Sequence, residues 1–181
     1  MTGTLRCIGV VLVTMLLASP ASAQDLDRVE ALLLRGRLTD ARRSLALWQE
    51  QNPRAPTDQQ ARALLLSAQL ATDASSAADA YLALALTYPT SRYAPVALLR
   101  LGQGLLAAQE PERARGYLER LVRDYPNAPD RAEAMLWLAR AERATGRGSA
   151  ACATLRNAAT LETGAETAQL IEAEVTRRCT P

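Results

Sequence analysis

Histidine, lysine and phenylalanine are absent from this chain, and aromatic residues of any kind make up only 4% of it. Without histidine the usual general base and the commonest metal ligand are missing. No glycine-rich phosphate loop occurs, and the cysteines show no Cys-x-x-Cys spacing, so neither nucleotide binding nor a zinc site has a signature. Residues branched at Cβ are sparse after the first fifteen positions, which removes the usual material of a sheet. What is present is alanine and leucine, the bulk of the 49% hydrophobic content and the best helix formers. These proportions predict an all-α fold, and 181 residues suit one domain of ordinary size.

All 21 basic residues are arginine; against 19 acidic residues they leave a net charge of only +2. Nucleic-acid binders concentrate basic residues on one face. Here arginine alternates with glutamate and aspartate, which describes a solvated helix surface and predicts no nucleic-acid partner. Glu112, Glu119, Glu133 and Glu142 fall in that alternation, and nothing marks two of them as an acid–base pair. Serine and threonine gather at caps and turns, where they serve the backbone. The expectation is a protein that is not an enzyme, with no cofactor and no metal.

The first 23 residues read as an address. Arg6 gives a short positive region, Ile8 to Leu17 an apolar core, and Ala21-Ser22-Ala23 a small-x-small cleavage signal. The apolar run is too short for a bilayer, which needs about 20 residues. Cleavage after Ala23 would start the mature chain at Gln24. Cys7 precedes the apolar core, so no cysteine stands where a lipid is attached. The expected location is the periplasm or beyond, with no transmembrane segment in the mature chain.

The stretch Leu98 to Pro129 reads as a helical hairpin. Leu98, Leu101, Leu105 and Leu106 recur at helical spacing; Gln109-Glu110-Pro111 breaks the helix. Ala114, Tyr117, Leu118, Leu121 and Val122 share a face of the second helix, which Pro126 ends. The hairpin repeats. The pair Ala-x-x-x-Leu occurs at Ala41/Leu45, Ala78/Leu82, Ala114/Leu118 and Ala151/Leu155, spaced 36 or 37 apart, and Pro53, Pro89 and Pro126 keep the same period. Repeats are expected at about 25–53, 57–89, 91–126 and 129–162 within a domain from 24 to 181, with a capping helix over 165–178. Thr57 and Gln60 suggest a capping box, Ser75 or Ser76 the start of the next helix, and Gly36 a left-handed helix end.

Leu101-Gly102, Ala114, Leu118 and Pro126 resemble the tetratricopeptide repeat. The units are two or three residues longer than its 34, and the extra length falls at Tyr88-Pro89-Thr90-Ser91 and Tyr125-Pro126-Asn127-Ala128-Pro129. That linker style is similar to the periplasmic branch of the family, which includes the repeat domain of the Tol–Pal coordinator and a repeat lipoprotein of outer-membrane assembly. The resemblance implies a right-handed α-solenoid of about four repeats plus a C-terminal cap. It also implies that the first helix of each unit lines a groove. Candidate groove residues are then Arg100, Gln103, Glu133, Leu136, Arg140 and Arg143, whose arginines suit a carboxylate or a peptide C-terminus.

Cys152 and Cys179 remain in the mature chain. In an exported protein an even pair suggests a disulfide, and two helices antiparallel across Thr163-Gly164 would bring the thiols together. Two functional readings follow. One is an interaction scaffold for a protein or peptide in a cell-envelope or outer-membrane complex; the other is an accessory module binding a small ligand or a cell-wall glycan.

Overall fold

The structure, a computed structural model, describes residues 21–179. The export signal expected over 1–23 lies outside them but for its last three positions, which open the first helix. The described residues form nine helices and no strand: α1 (Ala21–Leu34), α2 (Leu38–Gln51), α3 (Thr57–Gln69), α4 (Ala74–Thr87), α5 (Ala94–Ala107), α6 (Pro111–Asp124), α7 (Arg131–Ala144), α8 (Gly148–Ala158) and α9 (Ala165–Arg178). Each packs against the next, and α1 touches α3, α5 touches α7, and α7 touches α9. The odd-numbered helices therefore form one layer and the even-numbered ones the other, as in a TPR-like solenoid. None of the described helices is long and apolar enough to cross a membrane.

The period is visible in what the even helices bury. Trp48, Leu84, Leu121 and Ala158 stand 36 or 37 residues apart and are all buried. Two turns earlier Ala41, Ala114 and Ala151 are fully buried; one turn earlier so are Leu118 and Leu155, with Leu45 nearly so. In α4 this register falls on Ala77 and Tyr81, one residue before the Ala78/Leu82 pair expected from sequence. Both are only half-buried. An alanine-rich helix offers several Ala-x-x-x-apolar pairs, and only packing selects among them.

Small residues mark the tightest crossing. A Cβ on Gly102 would lie 2.4 Å from Cγ of Leu118, so α5 and α6 approach more closely there than any side chain permits. Turns explain the hairpins. Gly36 and Gly146 adopt left-handed backbone, and the next residues, Arg37 and Arg147, bond back to Leu32 and Glu142. These are Schellman closures of α1 and α7. Gln109 does the same after α5, with Glu110 N–H on the Leu105 carbonyl at 2.8 Å.

The second hairpin closes differently. Thr72 holds the equivalent place, and a β-branched residue resists left-handed backbone. Instead Asp73 caps α4: its carboxylate accepts from Ser76 N–H at 2.8 Å and from the Ser76 hydroxyl at 2.7 Å. The cap is thus Asp73 and neither serine, since an aspartate just ahead of the helix already satisfies the free N–H of Ser76 in its first turn. Nor does the Thr57/Gln60 box form. Pro56 is the residue before α3, and the Gln60 amide donates to the Ala55 carbonyl at 2.7 Å.

Tyrosines staple successive linkers. Tyr125 donates its hydroxyl to the Pro89 carbonyl at 2.6 Å, and Tyr88 donates to Gln60 Oε1. One repeat earlier the same position is Asn52, which folds back on its own helix at Trp48 O.

At the other end, Cys152 and Cys179 lie at disulfide distance, with sulfurs 2.07 Å apart. They join the start of α8 to the residue after α9. Arg156 reinforces the join, its Nη2 donating to the Cys179 carbonyl at 2.9 Å.

Candidate functional site

From α5 to α9 the odd-helix layer presents a polar ladder. Arg100 on α5 donates to Gln103 Oε1 at 2.8 Å, and Gln103 Nε2 donates across to Glu133 Oε1 on α7 at 2.9 Å. Trp137 Nε1 donates to the same Glu133 oxygen at 3.3 Å. The Arg140 guanidinium lies 4.5 Å from the centre of the Trp137 ring, a cation–π contact. Its Nε pairs with Glu174 Oε1 of α9 at 3.2 Å, and Arg178 takes the other Glu174 oxygen. A second ladder joins α1 to α3, where Arg62 bonds Asp27 at 2.6 Å and Glu30 at 2.7 Å. Those hydrogen bonds, Glu30 foremost, hold the Arg62 guanidinium pKa above its ordinary value despite partial burial.

Four of the six candidate groove residues, Arg100, Gln103, Glu133 and Arg140, thus lie along one connected strip. Leu136 does not: it is buried under α8 and α9 with Met135, Leu155 and Ile171, because adjacent residues on a helix point about 100° apart. Arg143 stands in the last turn of α7 and shares no bond with the strip; its Nη2 is buried and has no hydrogen-bond partner among the described residues. Trp137 fills a seam beside the main core and keeps its N–H for Glu133.

Charge along the strip is unevenly spent. Arg62 and Arg140 hold carboxylates, whereas Arg100 bonds only the neutral Gln103 among the described contacts. Beside Arg100 opens a cavity of about 670 Å³ between the first half of α4 and the second half of α5. Ala74, Ala77, Ala78 and Tyr81 line one side, and Leu101, Gly104, Leu105 and Ala108 the other. Asp79 stands on the α4 rim and Arg100 on the α5 rim, while Glu110 and Arg113 pair across the end at the start of α6. Tyr81 loses water there; burial raises its phenol pKa, and nearby Arg100 works against the rise. The polar ladder between neighbouring odd helices is interrupted here, between α3 and α5.

Sequence reading missed this trough. The signal for it was the period itself: counted from Pro89, Tyr81 replaces the leucine of Leu45, Leu118 and Leu155. Among the described residues no cluster of three or more cysteine, aspartate or glutamate side chains is arranged to hold a metal.

A family model for the tetratricopeptide repeat matches residues 96–128, which span most of α5, all of α6 and the linker after it. No curated protein matches the chain. The match, which covers one repeat, and the stacked helical hairpins support a TPR-like protein, of a fold that typically serves as a non-catalytic scaffold for other proteins.

Proposed function

We propose that this protein is an exported scaffold, working in the periplasm as an adaptor within a cell-envelope complex, that binds protein partners along the odd-helix face. The repeat architecture carries the reading: stacked hairpins build a long shared surface. Support for export comes from the signal-like residues 1–23 and from the cysteine pair at disulfide distance, which suits an oxidising compartment. The Tyr-Pro linkers resemble the periplasmic branch of the repeat family.

The strip from Arg100 to Glu133 is the proposed contact surface. Arg140 belongs to the wall that holds α9, so the pair Arg100→Glu and Gln103→Ala tests the surface without loosening the cap. Tagged protein expressed with its leader should enrich specific envelope proteins from membrane and periplasmic extracts, and the double variant should lose them. N-terminal sequencing of the processed form should begin at Gln24. Retention of full-length chain in the cytoplasm would sink the location; clear binding to cell-wall glycan with no protein recovered would replace the scaffold by an accessory binding module.

A further inference from the structure

We propose that the trough between α4 and α5 seats an amphipathic helix of a protein partner, small or aliphatic side chains down and a carboxylate reaching Arg100. The inference rests on the scaffold reading and names the kind of segment that the scaffold takes.

The position is where the repeat departs from itself. Elsewhere the alanine and leucine at this register of an even helix are buried; in α4 the Asp73 cap replaces the left-handed turn, and Ala77 and Tyr81 stay half-exposed. Along the floor alanine, glycine and leucine, whose side chains carry no hydrogen-bonding groups, outnumber the polar Ser75, Tyr81 and Gln103. The walls are helices with backbone groups already paired. An extended segment would carry unpaired N–H and C=O groups onto that floor, whereas a helix arrives with its own satisfied. A Cβ at Gly104 would meet nothing within 4 Å, so a second backbone has room to come close. From Ala74 to Tyr81 the wall is about 10 Å long, roughly two helical turns.

Charge selects the segment. Among the described residues neither Arg100 nor Asp79 forms an ion pair, and they stand on opposite rims. Glu110 and Arg113, where the lining reaches the start of α6, neutralise each other. The complementary helix therefore carries an acidic residue on one flank of its apolar stripe and a basic residue on the other. The two rims then set the direction in which it lies.

Two synthetic 18-residue helices test this by titration into ¹⁵N-labelled protein. They share an Ala/Leu stripe; one has Glu on one flank and Arg on the other, the second has Arg on both. The mixed-flank peptide should shift the amides of Ala77, Arg100 and Gly104, and the all-Arg peptide should bind about tenfold more weakly. Gly104→Leu fills the trough with a better helix former, so it should keep its melting temperature and lose at least about tenfold in affinity. Equal binding by Gly104→Leu, equal binding of the two peptides, or no shift with either overturns the inference. Shifts confined to Glu133 and Trp137 overturn it too, while leaving the scaffold reading in place. Concentration-dependent shifts of the same three amides without peptide would mean that a second copy of this chain fills the trough, which also overturns it.

Discussion

At Gln109 the backbone has φ +60°, in the place where the other Schellman turns have Gly36 and Gly146. A residue with a Cβ pays about 1–2 kcal/mol for that conformation. Gln109→Gly should therefore stabilise the protein by about 1 kcal/mol, read as a melting temperature about 2–4 °C higher for a domain of this size. Glu142 is the second residue out of keeping with its surroundings. It is the one charged side chain buried among the described residues, and its Oε2 has no hydrogen-bond partner. Burial raises its carboxyl pKa, and Glu119 of α6 adds to the rise; a hydrogen bond with Thr154 of α8, and Arg115 and Arg147, oppose it. A glutamate whose folded pKa exceeds its unfolded value favours folding when protonated, and that contribution is lost as pH rises through the folded pKa. Glu142→Gln should accordingly raise the melting temperature at pH 7, with the gain shrinking as pH falls toward the ordinary glutamate value of 4.5. Thermal melts across pH 4–8 check the slope; a gain independent of pH would refute it.

Among the elements, α9 is the one least anchored by burial. Among the described residues Ile171 is its single fully buried one; Val175 packs beside it, and the Glu174 pair with Arg140, the Arg156 bond and the cysteine link add to its hold. Closing a loop across a separation of 27 residues stabilises by about 3.5 kcal/mol through chain entropy. Replacing Cys152 and Cys179 by serine should leave α1–α7 folded while α9 exchanges its amides and is cleaved by protease much faster. The processed protein should show no free thiol in denaturant without reductant. Helix α4 teaches a different point at this scale. Its existence and length were legible as an apolar, alanine-rich run before Pro89, but its face was not. Ala77, Ala78 and Ala80 are interchangeable in a pattern search, and the choice was made by the turn at Thr72-Asp73 that sets where α4 begins.

For the whole molecule, stacked hairpins bind only their neighbours, so stability is shared out along the chain. Three core clusters mirror this: a central one from α3 to α7, one at α1–α3, and one at α7–α9. The junction of the first hairpin with α3 is thin, and Arg62 on α3 with Asp27 and Glu30 on α1 supplements it. Amide exchange should therefore be slowest in α5, α6 and α7, where neighbours stand on both sides, and fastest at α1 and α9. Arg62→Ala should speed exchange in α1 and α2 and leave α6 unchanged. Sequence alone determined the helical class and the period, because both depend on local facts: helix propensity, apolar spacing and prolines that stop a helix wherever they stand. It also located four of the polar strip residues through the family's convention for the inner helix. It did not show that Leu136 is core, that Arg140 pairs with Glu174 of α9, or that a trough opens beside Tyr81. Those depend on which face each helix turns to its neighbours, and a rotation of one residue, about 100°, leaves the sequence pattern intact while exchanging wall for core. Only the tertiary structure decided them.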